Sequence, residues 1–157
     1  MRIRAATPDD AEAISRLASE FHAYLNALGD PTKFHFNAET YLRDGFGPNP
    51  AFVALVAESN NEAVGYLILD FGYDTDRSRR LAYVNDLFVT EACRGHGVGN
   101  ALMSRAAEAA LERGADALWW GVYERNHSAI RFYEKLGAKY VQGIQFMSIA
   151  VNKLNST

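Results

Sequence analysis

Cysteine is almost missing from this chain. Cys93 stands alone among 157 residues, so no internal disulfide can form, and a reducing, cytoplasmic setting is expected. Apolar runs are short, and none reaches the ~20 residues that a membrane-crossing helix needs. The opening Met1-Arg2-Ile3-Arg4 leads straight into strand-like sequence, which argues against a signal peptide. Positive charge is not in excess. The formal net charge is −3, which speaks against nucleic acid or an anionic membrane as partner. Internal repeats, low-complexity tracts and linkers are absent, and no metal site is expected.

What is present is an ordinary globular composition, 48% hydrophobic and 22% charged, enough for one domain over residues 1–157 with a substantial core. Arg2–Ala6 reads as a first strand. Thr7 caps a helix with Pro8 in its first turn and an acid three residues on. Ile14, Leu17, Ala18, Phe21, Leu25 and Leu28 form its apolar face, and Gly29-Asp30-Pro31 ends it. Asn37 caps a second, short helix to about Asp44. Strands follow at Ala51–Glu58 and Val64–Phe71, joined by a turn at Ser59–Glu62. Asp74–Arg80 reads as a polar loop.

The centre of the chain is Tyr83–Arg113. Tyr83–Thr90 has strand composition. Gly95, Gly97 and Gly99 make a tight loop, and from Val98 apolar residues recur at helical spacing through Ala101, Leu102, Ala106, Ala109 and Ala110. Strand, glycine loop and helix start together suggest an anion site. A helix N-terminus leaves about four backbone N–H groups without partners, its dipole favours negative charge, and glycines let a ligand approach the backbone. Arg94 and His96 add positive or polar character. A P-loop would place Lys and Ser or Thr after the last glycine, where Asn100 and Ala101 stand. A dinucleotide fingerprint would have Gly or Ala at position 100 and would open the first strand–helix unit. Further on, Ala117–Val122 reads as a strand. Ala129, Phe132, Tyr133 and Leu136 share a helix face closed by Gly137. Lys139–Phe146 and Met147–Leu154 read as two last strands, with Asn155–Thr157 as a tail.

Two motifs in this order resemble the Gcn5-related N-acetyltransferase superfamily. One is Arg94-Gly95-His96-Gly97-Val98-Gly99. The other runs from Asn126 through Ala129 to Phe132-Tyr133-Glu134-Lys135-Leu136-Gly137. The resemblance covers nearly the whole chain. It implies an α/β fold with a mixed, mostly antiparallel central sheet of about six to seven strands flanked by about four helices. A splay is expected between the central strand and the one after the long helix. It also implies acetyl-coenzyme A as cosubstrate, with the backbone of Leu87, Phe88 and Val89 holding the pantetheine arm. The pyrophosphate falls to the amides of Arg94, Gly95, His96, Gly97, Val98, Gly99 and Asn100, and the far end of the arm to Asn126 and Ala129. Tyr133 matches the general acid that protonates the departing thiolate. A homodimer is expected on the same basis.

The base is less determined. Asp86 precedes the pantetheine-binding residues on the central strand and is the candidate, with Glu124, His22 and His35 as rivals. A narrower resemblance, to spermidine/spermine N-acetyltransferases, rests on Asp44-Gly45-Phe46-Gly47, on Val56-Ala57-Glu58 and on Asp86 before a Phe-Val pair. Those enzymes carry a further acid where this chain has Asn85. The expectation is therefore acetyl transfer from acetyl-coenzyme A to a primary amine by direct attack. A polyamine or diamine is among the acceptors, and a protein lysine or N-terminus stays open. The alternative of another class is a non-catalytic acyl-coenzyme A binding or sensing module on the same fold.

Overall fold

Strand β1 (Arg2–Ala5) starts the computed structural model, which describes residues 1–154. Next comes a single tight turn, Pro8–Asp10, whose Asp10 carboxylate accepts the Thr7 N–H at 2.7 Å. Helix α1 (Ala11–Ala27) then buries Ala11, Ile14, Leu17 and Ala18, as its apolar spacing predicts. Gly29, at φ 98°, closes it. Helix α2 (Ala38–Phe46) begins on the expected cap: Asn37 Oδ1 accepts the Thr40 N–H, and Thr40 Oγ1 accepts the Asn37 N–H, each at 2.9 Å.

Strands β2 (Val53–Ser59), β3 (Glu62–Asp74) and β4 (Arg79–Val89) form an antiparallel meander. Asn60 and Asn61 both adopt positive φ in the tight turn joining the first two. Strands β3 and β4 extend into the segment expected to be a loop, so only a short turn separates them. There Arg77 and Arg79 pair with Asp74, and Arg79 also reaches Asp116. Helix α3 (Val98–Glu112) then crosses back to strand β5 (Ala115–Trp119), which lies parallel to β4. The order across the sheet is β1-β2-β3-β4-β5.

Two features of β4 position the site. Its ladder with β5 runs from Arg80 to Tyr83 and stops. Among the described residues, Val84–Val89 has no strand on that side, which is the expected splay. In addition, Ile68 pairs with Asp86 while the next residue, Leu69, pairs with Val84, so Asn85 is an extra residue in a bulge. Tyr66, Ile68 and Phe88 share the cluster under α1 with Ile14, Leu17 and Ala18. Paired residues share a face, so the bulge keeps Asp86 on that face and turns Val84 to the opposite one.

The chain divides into two compact units, Met1–His127 and Ser128–Thr157. The second contains helix α4 (His127–Lys135) apart from its first residue, Gly137 at φ 87°, and a closing turn Val151–Leu154. The strands expected at Lys139–Phe146 and Met147–Leu154 are not found, so the sheet of the described residues has five strands and not six to seven. Apolar residues are there at strand spacing, but Tyr140, Val141, Ile144, Phe146, Met147 and Ile149 all stand exposed. Alternation is a potential for pairing, and a strand exists only where a neighbour supplies the ladder. The tail at Asn155–Thr157 lies outside the described residues. Among the described residues no helix is long and apolar enough to cross a membrane.

Candidate active site

The glycine loop follows β4 after a single tight turn, Glu91–Cys93. Gly95 and Gly97 adopt φ of 78° and 81°, and a Cβ added at either would meet nothing within 4 Å. These glycines serve backbone conformation and ligand approach, since no neighbour crowds them. Gly97 is the N-cap of α3, no side chain caps that end, and the first turn holds no acid. The first amides of α3, at Val98, Gly99 and Asn100, are therefore open to an anion. His96 and Asn100 are exposed, while Val98 is buried and anchors the helix.

Arg94 takes a more specific position than its motif suggests. Its Nε donates to the Val89 carbonyl at 2.9 Å. The guanidinium lies over the Tyr24 ring at 5.0 Å and the Phe88 ring at 5.6 Å. Tyr24 in turn donates its hydroxyl to Asn126 Oδ1 at 3.0 Å. Asn126 is buried, at 7% exposure. Tyr24 thus joins the glycine-loop arginine to the asparagine of the second motif. Sequence reading missed it, because a tyrosine on α1 carries no signal for partners so distant in sequence.

Asp86 occupies the α1 face of β4, just past the point where β5 departs. It is half-buried, and the Tyr66 hydroxyl donates to its Oδ2 at 2.8 Å. Burial pushes the Asp86 carboxyl above its ordinary range, while the Tyr66 hydrogen bond and the nearby His22 pull it back. Burial and the Asp86 charge raise the Tyr66 phenol well above its usual value, so it remains a donor. His22 stacks on Phe34 at 4.8 Å. His35 and Glu124 are exposed. Leu87 and Val89 are half-buried and Phe88 is buried.

The first unit therefore brings together Asp86, Leu87–Val89, Arg94–Asn100 and Asn126. Ala129 and Tyr133 lie on α4 in the second unit, where the Tyr133 ring meets Phe132 edge-on at 5.1 Å. Among the described residues no group of three or more His, Cys, Asp or Glu gathers as a metal would require.

A sequence profile described as "Acetyltransferase (GNAT) family" matches residues 14–138. The human spermidine/spermine N(1)-acetyltransferase-like protein 1 is 33% identical over 144 residues, covering 87% of this chain and 20% of that protein. The chain thus spans about a fifth of the length of that relative. Thialysine N-epsilon-acetyltransferase of Sus scrofa is 34% identical over 145 residues, covering 87% of this chain and 83% of that protein. An integron cassette protein from V. cholerae shares the fold, with a TM-score of 0.80 at 21% identity over 99% of this chain and 98% of that one.

Proposed function

The chain belongs to the acetyltransferase (GNAT) family and is an acetyltransferase, and from that premise we propose that it carries the acetyl group of acetyl-coenzyme A to a primary amine of a small cationic molecule. The observation that carries the reading is the parting of β4 from β5 after Tyr83 and Trp119, with the open stretch of β4 leading through the glycine loop to an uncapped, acid-free start of α3. An open strand edge followed by free amides suits a molecule with an amide-bearing arm and a pyrophosphate. The open space at Gly95 and Gly97 supports the same fit.

Acetyl-coenzyme A supplies an activated thioester. Leu87, Phe88 and Val89 offer backbone groups to the arm, and the amides of Arg94–Asn100 take the pyrophosphate. Asn126 and Ala129 meet the far end of the arm. An ammonium of pKa about 10.4 must lose a proton before it attacks, at a cost of about 5 kcal/mol at neutral pH. Asp86 accepts that proton, directly or through one water, and burial of its carboxyl brings its proton affinity closer to working pH. The amine nitrogen bonds to the acyl carbon as the carbon–sulfur bond breaks, and Tyr133 delivers its phenolic proton to the sulfur. The products are an N-acetylated amine and coenzyme A.

The acceptor class rests on the relatives named for spermidine/spermine and thialysine and on the carboxylate at Asp86. Asn85, exposed in the bulge, leaves one acid fewer for a polycation, which favours a diamine-sized acceptor. One domain over residues 1–157, a homodimer and a cytoplasmic setting belong to the same proposal.

The test is thiol release from acetyl-coenzyme A against a panel of diamines, polyamines, thialysine and lysine peptides, run beside Tyr133→Phe. Turnover with one amine class, cut about tenfold or more by the substitution with acetyl-coenzyme A affinity kept, is the expected result. Tight binding of acetyl-coenzyme A with no turnover on any amine would sink the proposal and leave an acyl-coenzyme A sensing module.

A further inference from the structure

Asp86 is held by a residue that no sequence motif marks. Tyr66 stands on β3 opposite Phe88, two residues before Ile68, the partner of Asp86, and so on the same face. Its side chain is fully buried, at 0% exposure. Phe88 lies beside its ring with centroids 6.5 Å apart, and Phe21 packs on Phe88 from α1 at 5.5 Å. Gly65 precedes it, and a Cβ there would come within 2.8 Å of the Phe88 carbonyl, so the glycine lets β3 and β4 close tightly at this point. A phenylalanine would fill the same space without burying a polar atom. The hydroxyl is costly in a core unless it is bonded, and the bond it makes is to Asp86 Oδ2 at 2.8 Å.

We infer that Tyr66 is a positioning residue for the acetyl transfer. It engages Oδ2, fixes the plane of the Asp86 carboxylate, and leaves Oδ1 to meet the incoming amine. The inference rests on the proposed reading in which Asp86 deprotonates the acceptor. Asp86 itself is only half-buried, so a substrate can reach what Tyr66 does not cover. The titratable groups that face it are Tyr66 from β3 and His22 from α1.

The test compares wild type, Tyr66→Phe, and the full-length protein with 3-fluorotyrosine at position 66, which keeps the shape and strengthens the donor. Asp86→Asn is the control. The readouts are kcat and KM for the accepted amine across pH, and KM for acetyl-coenzyme A. Tyr66→Phe removes a hydrogen bond that favours the charged carboxylate. The acidic limb of the profile should move up by about one pH unit, with about a tenfold loss of kcat on that limb and unchanged KM for acetyl-coenzyme A. The fluorinated protein should move the limb the other way, a result that stands even if the phenylalanine variant does not fold. An unmoved limb in the fluorinated protein, with Asp86→Asn inactive, overturns the inference and leaves acetyl transfer intact. Wild-type turnover by Asp86→Asn overturns the base assignment itself, and the role of Tyr66 with it.

Discussion

Gly97 sits at φ 81°, a region that costs an L-residue about 1–2 kcal/mol. Its absent Cβ would point into open space, so Gly97→Ala strains the backbone without a clash. Stability in urea is expected to fall by about 1 kcal/mol, while KM for acetyl-coenzyme A rises about tenfold or more because the loop amides lose their aim. Stability loss with unchanged KM would show that the loop does not bind the pyrophosphate. At this scale the sequence singles out the glycines, Arg94 and Asn126 through motifs that resemble the family's, and Asp86 only as one candidate base among several. It does not single out Tyr24 and Tyr66. Their hydroxyls work across 102 and 20 residues of chain, and a tyrosine inside a strand or helix looks like any other packed aromatic until its partner is seen.

Among elements, the join of β1 to α1 is held by one cation. Arg4 donates twice to Asp10, at 2.7 and 2.8 Å, and its Nε reaches Glu58 of β2 at 3.1 Å. Asp10 is nearly buried, at 7% exposure. The Arg4 hydrogen bond holds its carboxyl below the ordinary range against the opposing effect of burial. A carboxyl depressed in the folded state stabilises above its unfolded pKa of about 3.9, and that contribution drains away as pH falls below it through the depressed value. Arg4→Met leaves Asp10 buried without its cation, and a loss of about 3 kcal/mol at pH 7 is expected. In urea denaturation the gap to wild type should be smaller at pH 3 than at pH 7, since the contribution of the paired carboxylate drains away below the unfolded pKa. An equal gap at both pH values would rule out the ion pair as the cause. The capping acid of this turn was readable in sequence, but its second role with Arg4 was not, since pairing between elements leaves no periodicity. The same limit explains the last two expected strands. Their alternation was real, yet residues 139–150 have no ladder, and sequence alternation cannot supply the neighbour.

Across the whole molecule, the order of strands and helices as far as α4 followed from hydrophobic period, caps and glycines, and the five-strand sheet of the described residues has one parallel step where a helix crosses over. The splay was expected from resemblance only. Nothing in the composition of Val84–Val89 says that its second edge is left open, because both edges of a strand present the same side chains. The bulge was equally hidden, since an uninterrupted alternation fits Leu81–Thr90 as well as the observed one.

The bulge also makes β4 tolerant of a change in length. A strand normally cannot lose one residue, since every side chain beyond the loss would swap faces. Here the extra residue is already uncounted by the partner strand. Removing Asn85 brings Val84 and Asp86 into consecutive register with Leu69 and Ile68, and each keeps the face it has. A chain one codon shorter at this position should therefore fold, with a thermal midpoint within a few degrees of the parent. The straightened strand would lie closer to β5 and narrow the opening between them, so calorimetry should find acetyl-coenzyme A affinity sharply reduced. An unfolded deletion would mean that the irregular residue is a structural necessity, whereas a folded one that cannot bind would identify it as the wedge that keeps the sheet ajar.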